Sequence, residues 1–169
     1  SRPMEELVQE TQRLAAEGVK ELVVIAQDTT RYGKDLYGEP KLVELLERLN
    51  QVDGIQWIRV MYLYPDEITE KLIDTIKNCP KIVPYVDLPI QHISTELLKN
   101  MNRRGSGEDI RRIFKAFKDN IPGVIIRTSL IVGYPGETEE DFNELKDFVQ
   151  QTRFDRMGIF KYSMEENTV

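Results

Sequence analysis

The chain has 169 residues, enough for one domain over 1–169, and a chain of this size buries roughly 70% of its unfolded surface. Its 40% apolar and 31% charged residues exclude a disordered chain, and no apolar run approaches the roughly 18 residues of a membrane span. A net charge of −6 argues against direct nucleic-acid binding by this domain, one Cys excludes a disulfide framework or a Cys-based metal site within it, and one His excludes a His cluster.

The N-terminal SRPMEELVQE lacks an apolar h-region and reads as a helix start, not a signal peptide. Met4, Leu7, Val8, Leu14 and Ala15 share one face of that helix, and Gly18 stops it. Glu21 to Ala26 is a β-branched run, expected to be a strand buried on both faces. A polar loop runs from Gln27 to Glu39. Pro40 then opens a helix with Leu42, Leu45, Leu46 and Leu49 as its stripe. Ile55 to Leu63 predicts a second strand, and a helix capped by Asp66 runs to Cys79-Pro80. Val83 to Leu88 is the third strand. Ser94 caps ELLKNM, and the basic loop Asn102 to Gly107 leads to a helix with Ile110, Ile113, Phe114 and Phe117 inward. Val124 to Val132 is the fourth strand. Thr138 and Asp141 form a capping box before DFNELKDFVQQ, and Met157 to Tyr162 is the fifth strand.

Helix and strand therefore alternate, which means parallel strands joined by crossover helices. The predicted class is α/β, a partial (βα) TIM-like barrel with outer helices. A chain of βα units that opens on a helix is expected to have its first strand upstream.

In such folds chemistry sits in the loops after the strand C-termini. Here those loops are polar or rich in Gly and Pro. Gln27, Asp28, Thr29 and Thr30 follow the first strand, and Tyr62, Tyr64 and Asp66 the second. Gln91 and His92 follow the third, Gly133 to Glu137 the fourth, and Lys161 and Tyr162 the fifth. Each also has a plainer reading. Gln27-Asp28 can cap a turn, His92 can be a structural histidine, and Arg103-Arg104 can be a solvated loop. GYPGETEEDF is either a tight turn into a capped helix or a place where Gly133 and Gly136 let backbone N–H groups approach a flat ligand. Cys79 lies away from this rim and reads as inert. The residues alone stop at a ligand site on one rim of an α/β barrel.

Four strings together resemble a known family: ELVVIAQDTTRYGKD, YVDLPIQHISTELLKNMNRRGS, RTSLIVGYPGETEEDF and RMGIFKYS. They are similar to the radical S-adenosylmethionine methylthiotransferases, along essentially the whole chain. DLPIQH, MNRRGS and FKYS resemble most the branch that methylthiolates an aspartate side chain of a small-subunit ribosomal protein. The sister branch acts on tRNA, and a barrel that only binds a ligand, without a cluster, is the third reading. The resemblance implies a cytoplasmic enzyme that uses S-adenosylmethionine, a sulfur donor and [4Fe–4S] clusters. In that family a CxxxCxxC loop after the first barrel strand holds the radical-generating cluster. An upstream domain holds a second cluster, and a C-terminal TRAM domain binds the macromolecule. None of those cysteines is in this chain, so a metal site is not expected here, and the chain alone is expected to be inactive.

By resemblance, Gln27 and Asp28 contact the methionine ammonium. Arg127 and Ser129 contact ribose or carboxylate, and Gly133, Tyr134, Pro135 and Gly136 flank the adenine. Gln91, His92, Lys161 and Tyr162 are candidates for substrate contact at the rim. Arg127 and Ser129 are two residues apart on one strand, so they share a face.

Overall fold

The computed structural model describes residues 1–164. Five strands lie in sequence order and every pairing is parallel: β1 (Glu21–Val24), β2 (Trp57–Val60), β3 (Tyr85–Asp87), β4 (Ile125–Val132) and β5 (Arg156–Lys161). β1 pairs with β2, and β3 with β4 and β5. A seam between β2 and β3 is closed by the parallel bridge Ile58–Ile82 and by the Leu63 N–H donating to the Asp87 carbonyl at 2.9 Å. Gln27 beyond β1 and Phe160 on β5 line one cleft, so the sheet is curved.

Among the described residues α1 (Met4–Ala16) precedes the strands and six helices connect them: α2 (Lys34–Tyr37), α3 (Leu42–Asn50), α4 (Glu70–Asn78), α5 (Thr95–Asn100), α6 (Gly107–Asn120) and α7 (Glu139–Thr152). One buried apolar cluster joins Leu45, Leu46, Ile73, Ile76, Phe114 and Phe117 from the helices to Ile58, Val60, Val86, Ile126 and Leu130 from the strands. Burying each such side chain is worth about 1.5–3 kcal/mol. Phe154 meets Phe114 edge-on at 5.0 Å and Phe148 at 5.7 Å between ring centroids, which fastens α7 and the start of β5 to α6.

Register partners share a face. Leu22, Val24, Ile58, Val60, Val86 and Ile126 therefore point to the helices. Val23, Arg59, Tyr85, Asp87, Arg127 and Ser129 point to the other, open face. The strands are thus two-sided, with a polar open face. β1 departs most from expectation. It ends at Val24, and Val23 and Ile25 are 53% and 60% exposed, because no side chains among the described residues cover the open face there.

Other boundaries differ locally. Pro65–Glu67 is a 3-10 turn, and α4 begins at Glu70 with the Thr69 hydroxyl as its cap, accepting from the Leu72 N–H. Asp66 instead reaches Arg31 at 3.2 Å. Ser94 sits at the N-cap of α5 without a side-chain bond to the helix. The capping box predicted at Thr138 and Asp141 is present, and Ser106 and Asp109 form a second one on α6. The first residue of α6 is glycine because a Cβ at position 107 would strike the Ile93 carbonyl oxygen.

Candidate functional site

The loops after the strands enclose a cleft of about 400 Å³, lined among others by Gln27, Tyr62, Gln91, Arg127, Ser129 and Phe160. All five strands contribute to it or lead into it. Arg127 and Ser129 stand side by side on its floor, as their spacing predicts. The Arg127 Nη1 donates to Asp87 Oδ1 at 2.7 Å, and this bond raises the Arg127 pKa further and keeps it charged. Arg59 lies deeper on the same face, paired with Glu21 at 2.8 Å and stacked over the Tyr85 ring at 5.0 Å. Burial first, and then the Asp87 carboxylate, push the Tyr85 phenol up. In a chain of net charge −6 the open face thus sets Arg59, Arg127 and Arg156 against Glu21 and Asp87, a small local excess of positive charge.

Backbone strain marks the same rim. Tyr62 (φ 55°), Gln91 (φ 71°) and Asn102 (φ 54°) adopt the left-handed conformation without being glycine. Tyr62 and Gln91 line the cleft, and Asn102 lines its neighbour. Such strain persists where the surroundings over-determine a conformation, as at binding sites. Gln91 is held by two bonds to β4: its N–H donates to the Ser129 carbonyl at 2.9 Å, and its carbonyl accepts from the Ile131 N–H at 2.7 Å.

Gln27 and Asp28 separate. Gln27 faces the cleft, whereas Asp28 lines a neighbouring cleft of about 250 Å³ with Arg31, Tyr64, Asp66 and Arg103. Asp28 accepts from the Thr30 hydroxyl, and its Oδ2 lies 3.3 Å from Arg31 Nε, too poorly aligned for a hydrogen bond. Arg31 also pairs with Asp66 and Glu67. Arg103 stacks over the Tyr64 ring at 4.9 Å and lines both clefts.

His92 lies below the rim surface and is fully enclosed. Its Nδ1 accepts from the Ser94 N–H at 3.0 Å, so Nε2 carries the proton and faces Glu137 Oε1 at 3.4 Å. Glu137 Oε2 accepts from the backbone N–H groups of Gly133 and, at 3.1 Å, Tyr134. The amides expected to be open to a ligand at that turn are therefore taken by the chain's own carboxylate. Gly133 (φ 75°) and Gly136 (φ 90°) make the turn that delivers Glu137 to them. Pro135 and Gly136 are exposed beside it. The Tyr134 hydroxyl donates to the Asn100 carbonyl at 3.0 Å, and its ring meets Tyr162 edge-on at 5.2 Å. Lys161 pairs with Val132 on the helix side of the sheet, away from the open face.

Two residues whose roles were not legible in the sequence organise this site. Asp87 looks there like the polar end of an apolar strand, and only its register with Arg127 reveals it. Glu137 looks like part of a helix-opening acidic run; its spacing of four from Gly133 was the available signal.

Among the described residues no group of three or more His, Cys, Asp or Glu could hold a metal. Cys79 caps the C-terminus of α4, where β3 approaches, at the opposite end of the strands. Burial pushes its thiol up, away from the thiolate a cluster needs. These residues therefore do not fit an iron–sulfur cluster. The cleft instead combines one cation, Arg127, with the polar side chains of Gln27, Gln91 and Ser129, a lining that suits a small zwitterionic ligand.

A curved parallel sheet with its site in the loops after the strands defines the class, and a family model for the Radical SAM superfamily matches residues 1–149. The chain belongs to that superfamily. Among curated relatives, the ribosomal protein uS12 methylthiotransferase RimO of Clostridioides difficile is 56% identical over 168 residues, 99% of this chain and 38% of that protein. The protein of the same name from Alkaliphilus oremlandii is 54% identical over the same share of each. The chain thus spans well under half the length of these relatives. Solved folds agree. The Kitasatospora setae radical S-adenosylmethionine methyltransferase TsrM superposes with TM-score 0.73 at 19% identity, covering 95% of this chain and 31% of that one. Coproporphyrinogen III oxidase (HemN) from Escherichia coli gives 0.68 at 17% identity, covering 95% and 37%.

Proposed function

We propose that this chain is the adenosylmethionine-binding core of a methylthiotransferase that replaces a side-chain hydrogen of an aspartate in ribosomal protein uS12 with a methylthio group. The observation that carries this reading is the 54–56% identity to uS12 methylthiotransferases over 168 residues, 99% of the chain. Arg127 receives the cofactor carboxylate by charge-assisted hydrogen bonds, and Ser129 and Gln91 hold its sugar. Gln27 accepts from its ammonium, and Tyr134 and Pro135 border the adenine. Tyr162 and Gln91 are the rim residues nearest an incoming protein loop. Bound adenosylmethionine, with a cluster supplied from outside these residues, provides the one-electron chemistry that removes the substrate hydrogen.

The net charge of −6 favours a protein substrate over tRNA, and the described residues hold no helix long and apolar enough to cross a membrane. The setting that follows is the cytoplasm, where the ribosome and the sulfur donor are available. The test is a chimera of the C. difficile relative in which this chain replaces the matching 168 residues. Loaded anaerobically with its clusters and given adenosylmethionine, a sulfur source and a low-potential one-electron reductant such as dithionite, it should add the mass of one methylthio group, less one hydrogen, to uS12. Modification of tRNA instead, or adenosylmethionine binding with no modification of uS12, overturns the reading.

A further inference from the structure

Asp87 is fully enclosed, yet it uses only one oxygen. Its Oδ1 accepts from Arg127 Nη1, and its Oδ2 has no partner among the described residues. A carboxylate and a guanidinium often close two parallel bonds, because their forks match. Here the contact is end-on. A buried oxygen without a donor costs stability, so folding alone does not account for an aspartate at this position. The end-on bond instead fixes one corner of the guanidinium and leaves its other N–H donors for the cleft that Arg127 lines. The two side chains differ accordingly: Asp87 is sealed, while Arg127 keeps 34% of its side chain accessible.

We propose that Asp87 is a positioning residue that orders Arg127 in advance, so that the guanidinium meets the carboxylate of adenosylmethionine without losing rotamer freedom at the moment of binding. This rests on the reading of the cleft as the adenosylmethionine site. Asp87 itself touches no ligand. The freedom an arginine surrenders on ordering corresponds to roughly a tenfold change in Kd, and Asp87 removes that loss during folding.

The test measures equilibrium binding of two nucleosides to the cluster-loaded chimera. One is S-adenosylmethionine. The other is 5′-methylthioadenosine, which lacks the amino-acid carboxylate. The variants are Asp87→Ser, Asp87→Asn, Arg127→Gln and Asp87→Ser with Arg127→Gln, each with its melting temperature. Asp87→Ser should weaken adenosylmethionine about tenfold and leave methylthioadenosine within about twofold. Its melting temperature should be unchanged or higher. Asp87→Asn keeps an acceptor for Nη1 and should recover part of the loss. In the Arg127→Gln background Asp87→Ser should add nothing.

If the wild-type chimera binds neither nucleoside, the reading of the cleft falls and takes this inference with it. If Arg127→Gln weakens adenosylmethionine but folded Asp87→Ser does not, the inference falls and the reading of the cleft stands. Equal losses for both nucleosides, or losses that track a lower melting temperature, make Asp87 a structural residue and overturn the proposal.

Discussion

At the scale of single residues, neighbours in sequence have unlike tasks. Gln27 reaches the cleft, whereas Asp28 is turned into a 3-10 start with Thr30 and Arg31. Gln27→Ala should therefore raise the Kd for adenosylmethionine several-fold with little change in stability, since one exposed amide contact is lost. Asp28→Ala should act mainly on the loop, costing about 1 kcal/mol of stability. Titration calorimetry and chemical denaturation on the same two variants check this, and the reverse pattern would return the ammonium contact to Asp28. Adjacent rim residues such as these were legible in the sequence as a group. Their directions were not, because a turn of a few residues decides them. His92 shows the same limit. Its position after β3 was readable, but its burial depends on Glu137, 45 residues later.

At the scale of elements, periodicity placed the helices and strands, and the capping box of α7 was readable from Thr138 and Asp141. The box on α6 lay hidden in a loop read for its basic residues. Both boxes predict one pH dependence. The Ser106 hydroxyl holds the Asp109 carboxyl below its ordinary range, and the Ser94 and Thr138 hydroxyls do the same for Asp141. A lowered folded pKa adds stability above the unfolded value, near pH 4, and this is lost as pH falls through the lowered value. Circular dichroism from pH 5 downward should show the Asp109→Asn and Asp141→Asn variants losing less stability on acidification than the wild type. Gly107 supplies a sharper test. Alanine is the better helix former, yet at position 107 its Cβ would strike the Ile93 carbonyl. Gly107→Ala should cost about 2 kcal/mol or more, read as a lower denaturation midpoint, because the obstacle is backbone and cannot rotate away. A neutral or stabilising result would mean that α6 can slide off the β3–α5 loop.

At the scale of the whole molecule, the alternation of helix and strand was legible because each strand carries a core-facing half. The open face was not. Arg59, Asp87 and Arg127 lie among apolar residues; only register sets Asp87 beside Arg127, and only the stacking of Arg59 on Tyr85 brings it to them. Exposure at the sheet margins was equally unreadable, since it depends on what lies beside β1. Stability should follow this layout. Amide exchange should be slowest around Val86, Ile126 and Leu130, which are buried on paired strands, and fastest among the strands at Val23 and in Arg156–Lys161. Uniform protection across all five strands would show a single cooperative unit instead.

The seam between β2 and β3 has a mechanical consequence. Gln27 and Tyr62 lie on one side of it, and Gln91, Arg127 and Ser129 on the other. A molecule seated in the cleft would thus act as a cross-brace over the join with the least strand pairing in the sheet.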